Sequence, residues 1–223
     1  MWKGTKTMKN RCYLDVHVLQ TVPPSCVNRD DTGSPKTAIY GGTTRARVSS
    51  QAWKHAMREM FREELIEPDM LGLRTKNVIS MVAEEILKLN PDAKKAKELA
   101  EKVLTSAGVK FKDDKKGETK DKKAEALFFM SAAQAKALAE IAVSEGTADK
   151  DACKKALKDN PSVDIALFGR MVASEATLNC DASAQVAHSI STHTVQNEYD
   201  YFTAVDDLAP EDTTGAGHLG TVE

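Results

Sequence analysis

The chain has 223 residues, 41% hydrophobic, 29% charged and 5% aromatic, a composition that excludes a largely disordered protein and supports a packed core. No apolar run approaches the roughly 20 residues of a membrane-crossing helix, which excludes an integral helical membrane protein and leaves no membrane partner to expect. The net charge of −2 hides a polarity: residues 1–60 carry ten Lys/Arg against four Asp/Glu, whereas residues 171–223 carry nine Asp/Glu and no Lys/Arg, a polyanion-binding front and an acidic end.

The opening MWKGTKTMKN is charged without an apolar stretch, so no secretory leader is expected and the location reads as cytoplasmic. In 11–20, Cys12, Leu14, Val16 and Val18 alternate with Arg11, Tyr13, Asp15 and His17, a period of two that predicts a strand. Residues 21–42 hold Pro23-Pro24, Asp31-Thr32-Gly33, Ser34-Pro35 and Gly41-Gly42 and read as a long loop. Ser49 and Ser50 offer N-caps for a helix over 51–66. Along it Trp53, Met57, Met60, Phe61 and Leu65 share an apolar face, while Gln51, Lys54, Arg58 and Arg62 line a polar stripe on another. From about 75 to 160 the pattern is helical, with stops at Pro91, Gly108, Gly146 and Pro161, and with a charged segment over 112–123 expected to be a mobile loop. VDIALF (163–168) and SAQVAHSISTHTV (183–195) read as further strands, and the chain closes in an irregular Gly- and Asp-rich stretch. This succession gives an α+β fold.

The strongest chemical signal is GGTTRARVSSQAWKHAMR (41–58). Arg45 and Arg47, two apart on an extended segment, point to one side. Ser49 and Ser50 place hydroxyls and free N–H groups at a helix start, where partial positive charge gathers. Lys54 and Arg58 continue the positive stripe along the helix. Together these residues make a cradle for consecutive phosphates, gripping a strand without reading its bases. A capped surface helix with ordinary cations is the plainer alternative. Few aromatics and no RNP-type aromatic run argue against base stacking on a sheet.

Asp30-Asp31 either holds a divalent cation for phosphodiester cleavage, or structurally caps a turn or pairs with Arg29 or Arg47; Asp206-Asp207 poses the same choice. His188 and His193, five apart on an expected strand, face opposite sides and make no zinc pair. Cys12, Cys26, Cys153 and Cys180 contain no CxxC spacing and read as reduced, buried or half-buried thiols. No nucleophile–base arrangement is evident, so neither a catalytic residue, a metal nor a cofactor is expected.

Taken in order, PSCVNRDD, AIYGGTTRARVSSQAWKHAMR, VDIALFGRM, AQVAHSISTH and DYFTAVDDLAPEDTTGAGHLGT closely resemble the CasC-type (Cas-seven family) backbone subunit of the type I-E CRISPR surveillance complex, Cascade. The resemblance implies a modified RRM-like (ferredoxin-like) palm drawn from 10–60 and 161–195, a helical fingers insertion over 61–160 and an extended thumb over 196–223. Family members continue past HLGT with further palm elements, so the palm is expected to be incomplete at the C-terminus. Copies of such a subunit stack along the CRISPR RNA, contact other Cascade subunits and present the spacer to a target DNA strand. Carried onto this chain, Arg29, Gln51, Lys54 and Arg58 resemble backbone contacts, and Met171 and Thr203 resemble the residues flanking a periodically displaced nucleotide. His55 stands where the family often has a further basic residue. Related subunits of type III complexes cleave RNA through an acidic loop residue, which here is Asp30 or Asp31, so a metal-dependent endoribonuclease is the alternative.

Overall fold

A computed structural model describes residues 12–113, 122–144, 149–205, 208 and 216–222. The chain divides into two compact units, Met1–Pro35 with Gln196–Glu223, and Lys36–Val195. The centre of the charged segment, 114–121, the stop at Gly146, and Asp206-Asp207 lie outside the described residues.

In the unit Lys36–Val195, β1 (Thr37–Tyr40) and β2 (Thr43–Val48) form an antiparallel hairpin in which Tyr40 pairs with Thr43. Gly41 and Gly42 between them have φ of 65° and 75°. Positive φ at both central positions gives the tight turn whose twist suits a hairpin, and glycine adopts it without strain. The end of the expected loop is therefore a strand. α1 (Ser50–Met60) follows under the predicted cap: the Ser49 hydroxyl accepts the Ala52 N–H at 3.2 Å. It continues as a π-helical turn, Phe61–Leu65, so the helix ends within a residue of its expected limit.

Next come β3 (Gly72–Thr75), α2 (Val78–Leu89), α3 (Ala96–Ser106), β4 (Phe111–Asp113), β5 (Lys122–Ala124), β6 (Phe128–Ser131), α4 (Ala132–Ser144) and α5 (Lys150–Lys158). The helices fall where periodicity and stop signals place them. Val78, Val82 and Ile86 of α2, Ala100 and Leu104 of α3, and Leu138 and Ala142 of α4 recur at helical spacing and meet in one buried cluster with Cys153 and Leu157 of α5. β3 and β6 pair antiparallel, Gly72 opposite Ser131 and Thr75 opposite Phe128. At the start of α4 a reciprocal cap forms: Ser131 Oγ accepts the Gln134 N–H at 3.0 Å, and Gln134 Oε1 accepts the Ser131 N–H at 3.2 Å.

α6 (Val163–Phe168) corrects the strand expected over VDIALF. Six residues are too few for periodicity to separate strand from helix. Context decides: Ser162 precedes the helix, Asp164 sits in its first turn, and Gly169, at φ 77°, ends it. The strand expected over 183–195 shrinks to β7 (Ser189–Ile190), which pairs with Arg47 and Val48 to complete a three-stranded sheet in the order β1-β2-β7. Elsewhere this segment follows β2 through single bonds, Ser191 N–H to Ala46 O at 2.9 Å and Val195 N–H to Thr44 O at 3.0 Å.

In the other unit, β8 (Asp200–Val205) and β9 (Ala216–Val222) form an antiparallel hairpin within the stretch read as irregular. Residues 12–20, read as a strand, form none. Alternation prepares an apolar face, but a strand also needs a hydrogen-bonded neighbour, and none pairs with this segment among the described residues. Leu14, Val16, Val18 and Leu19 are accordingly exposed. Cys12 is exposed too, against expectation, while Cys26 and Cys180 are half-buried and Cys153 is buried; all four are thiols.

Candidate nucleic-acid interface

β2 sets Arg45 and Arg47 on one side of the hairpin. Arg45 Nε donates to Tyr40 O and its Nη1 to Ser191 O, both at 3.0 Å, and the guanidinium lies 6.0 Å from the Tyr40 ring centre. Carbonyls therefore hold this cation in place without neutralising it. Arg47 Nε is buried and meets no acceptor among the described residues. A buried donor left unpaired is costly, so it is a site where an incoming acceptor gains most.

Beside β2, Ser191 Oγ accepts the Ala46 N–H at 3.1 Å and donates to His193 O at 2.6 Å, and the Thr43 and Thr194 hydroxyls meet at 2.6 Å. These bonds fix the strand that carries the arginines. α1 then begins with no acidic residue in its first turn. The positive end of the helix dipole is thus uncompensated from within the helix. His188 Nδ1 accepts the Ser50 N–H at 3.4 Å, and Trp53 Nε1 donates to Ser189 Oγ at 2.9 Å, joining α1 to β7. Gln51 is exposed, and Lys54 is half-buried with no ion pair among the described residues. Arg45, Arg47, Ser49, Gln51 and Lys54 thus fall within one short strand–helix segment.

Arg58 departs from that group. Its Nε donates to Asp164 Oδ2 at 3.0 Å, with the two side chains only 14% and 2% exposed. Its Nη2 reaches Gly72 O at 3.4 Å, and its guanidinium sits 4.5 Å from the Phe129 ring centre. Asp164 Oδ1 also accepts the Gly72 N–H at 2.9 Å and the Ser162 hydroxyl at 2.7 Å. The polar stripe is therefore open to solvent at its upper end and tied to β3 and α6 at Arg58. Arg74 shares the Phe129 ring at 5.0 Å; burial, then the Arg58 charge, lowers its pKa against the opposing pull of Asp164.

Met171 follows α6 and is 84% exposed. In the separate unit, Arg29 Nη1 donates to Gly33 O at 2.5 Å. Asp30 Oδ1 accepts the Thr32 N–H at 2.9 Å, the Thr32 hydroxyl at 2.7 Å and the Ser34 N–H at 3.0 Å. The Thr32 hydroxyl first, with the backbone donors, holds the Asp30 carboxyl below its ordinary value against the opposing effect of desolvation. This carboxylate spends its acceptors on its own turn, the second of the two roles its sequence allowed. No trio of His, Cys, Asp or Glu with metal-binding geometry occurs among the described residues. Thr203 lies on β8 opposite Leu219.

The sequence matches the CT1975-like protein family over residues 14–223. The chain belongs to that family. The CT1975-like chain is also similar to a chain of a solved "CRISPR RNA-guided surveillance complex, pre-nicking", at 35% identity and a TM-score of 0.64 over 88% of its length. A chain of a second solved "CRISPR RNA-guided surveillance complex" gives 34% identity and a TM-score of 0.61 over 78%. The CT1975-like chain spans 57% of the length of each of these two. No curated protein matches it significantly.

Two residues of the CT1975-like chain escape sequence reasoning. Asp164 sits inside an apolar hexapeptide, where a lone carboxylate signals a buried partner but does not name it. Arg170, only 6% exposed, donates to Leu178 O, Leu157 O, Phe129 O and Gln134 Oε1. A cation beside an exposed Met carries no local mark of burial. The S-x-x-Q pattern at Ser131–Gln134, by contrast, is a readable capping signal.

Proposed function

We propose that the chain is a guide-RNA-binding backbone subunit of a type I-E CRISPR surveillance complex, acting as a structural protein rather than an enzyme. The observation that carries this reading is the likeness, at 35% identity over 88% of the chain, to a chain of a CRISPR RNA-guided surveillance complex. The concentration of Arg45, Arg47, Ser49, Gln51 and Lys54 along one strand and the helix start supports it independently.

In this reading the chain works in the cytoplasm as a palm of RRM-like type, a helical fingers insertion and a thumb. Copies line up on the guide together with the other subunits of the complex. Arg45, Arg47 and Lys54 neutralise successive phosphates, and the α1 N-terminus with Ser49 and Gln51 supplies neutral donors. Arg29 adds a backbone contact from its own unit. Arg58, through Asp164, holds α1 in place instead of meeting phosphate. Met171 and Thr203 flank a displaced nucleotide, dividing the spacer into short segments that pair with target DNA. Sequence is read by base pairing, and the protein grips only the backbone.

The test is RNA binding by the assembled chain across a salt series, with two RNAs of unrelated sequence. Equal affinities and a steep inverse salt dependence are expected, with most affinity lost in Arg47→Glu/Lys54→Glu. Failure of residues 45–58 to crosslink to bound RNA overturns the reading. Mg²⁺-dependent cuts in a target RNA, lost in Asp30→Ala, would replace it with the endoribonuclease.

A further inference from the structure

Met171 combines extreme exposure with rigid attachment. Its side chain is 84% exposed, yet Arg170 and Val172 on either side are 6% and 8% exposed. Before it, Gly169 has φ 77°, and a Cβ there would stand 2.8 Å from Cys180 O, so only glycine allows this approach. Arg170 and Cys180 then exchange two backbone bonds, at 2.9 and 2.8 Å. After it, the Val172 N–H donates to Asn179 Oδ1 at 2.7 Å. The methionine is the free apex of a strap fastened at both ends.

The Arg170 guanidinium makes the first fastening long-ranged. Nε and Nη2 donate to Leu178 O at 3.1 and 2.9 Å, Nη2 also to Leu157 O at 2.6 Å, and Nη1 to Phe129 O and Gln134 Oε1, both at 3.1 Å. The group also stacks 5.3 Å from the Phe128 ring centre. These acceptors sit on or beside β6, α4, α5 and the turn Ala176–Leu178, so the planar fork refers the strap to the helical core. Every hydrogen-bond acceptor in this set is neutral. A buried polar network so fully satisfied rigidifies its surroundings and specifies one geometry.

We infer that Arg170 and Asn179 are positioning residues that hold Met171 rigid, as an apolar wedge, at the place where the proposed function already sets it beside a displaced nucleotide. The inference rests on that reading and adds to it only what fixes the methionine. A thioether packs well on an aromatic face and offers no donor to discriminate one base from another, as a sequence-blind grip requires. Fastening the backbone beforehand removes the ordering cost that a flexible loop would incur on binding.

The chain is assembled with its partner subunits on guide RNAs carrying one 2-aminopurine each, a base that brightens when unstacked. Met171→Ala should abolish the bright positions. Asn179→Ala, at an exposed site, should lower their amplitude at least twofold. Loss of that one hydrogen bond should also speed exchange of the Val172 amide about tenfold. RNA affinity and its salt dependence should stay within twofold, and Asn179→Asp, which keeps the acceptor, should restore amplitude and exchange. Arg170→Lys, which cannot span the same carbonyls, should act as Asn179→Ala does or more strongly. Bright positions unchanged in Met171→Ala overturn the wedge. An unchanged amplitude in Asn179→Ala, or an unchanged amide, overturns the positioning role while leaving RNA binding intact. No RNA on the unmodified assembly removes the reading beneath both.

Discussion

Between Leu71 and Leu178 the chain buries the apolar stripes of α2, α3, α4 and α5 against one another and against β6, whereas between Thr37 and Leu65 it buries only Ser49 and Ser50. The first region supplies its own core. The second is held by a hairpin ladder, by caps, by the bonds from Ser189, Ser191 and Thr194, and by the Arg58–Asp164 pair that fastens α1 to α6. Its apolar residues cover little: Trp53, Met57 and Phe61 are half-buried, and Met60 and Leu65 are exposed. On the proposed function, a segment that contributes so little to the core and yet keeps Arg45, Arg47 and Lys54 free of ion pairs among the described residues is organised for RNA rather than for its own packing.

The contrast breaks most visibly at Asp164. Asp164→Ala leaves the buried part of Arg58 and the Gly72 N–H without their acceptor. Removing one partner of a buried pair typically costs about 3–5 kcal/mol. In a chain of this size that lowers Tm by roughly 6–20 °C, measurable by circular dichroism or calorimetry. A smaller cost is expected from Leu138→Ala in the core, about 2–5 kcal/mol depending on how far the cavity collapses. Leu65→Ala, at an exposed site on the π-helical turn, should change stability by about 0.5 kcal/mol or less. Equal losses at Leu138 and Leu65 would erase the distinction between the two regions.

Next in size are effects on binding rather than folding. Lys54→Ala should leave Tm within a degree or two and reduce the slope of log K against log salt by about one, the signature of one lost phosphate contact. Arg58→Gln should do the opposite, lowering Tm while leaving the slope unchanged. A reduced slope in Arg58→Gln would mean that Arg58 leaves Asp164 to meet RNA, and would return it to the cradle.

The same two regions explain what the sequence made legible. Helix ends were readable because Asn90-Pro91, Gly108 and Ser49 act through local backbone chemistry. The α2, α3 and α4 faces were readable because burial repeats at 3.6 residues. VDIALF was not, because six residues fit both periods and the Asp164 bonds to Gly72 and Arg58 choose between them across long separations. Arg58 shares its stripe with Lys54, so its inward turn is invisible until β3 and α6 are placed beside α1. At 11–20 the alternation is real, but alternation carries no information on whether a neighbouring strand is present. Of the proposed interface, Arg45, Arg47, Ser49, Gln51 and Lys54 lie in one stretch of chain and could be read together. Arg170 and Asn179 act on Met171 only through folded neighbours.

The smallest effect concerns the acid limb of unfolding, and it lies wholly on the core side. Glu175 Oε2 accepts from Lys154 Nζ at 2.7 Å, and its Oε1 accepts from the Thr177 hydroxyl at 2.6 Å and the Thr177 N–H at 3.3 Å. The Lys154 bond first, then Thr177, lowers its pKa from 4.5 to about 2. A carboxyl with a folded pKa below its unfolded one binds protons more readily when unfolded. Its contribution is therefore complete above pH 4.5 and disappears as pH falls from there through about 2. Glu175→Gln keeps the shape and the Thr177 acceptor but cannot titrate, so its stability should decline less between those limits than that of the unmodified chain. Denaturant midpoints at pH 7, 4.5 and 2 measure this directly: the two chains should differ most at pH 7 and converge at pH 2. Parallel curves would show that Lys154 and Glu175 are screened by water and do not help tie α5 to the turn at Ala176–Leu178.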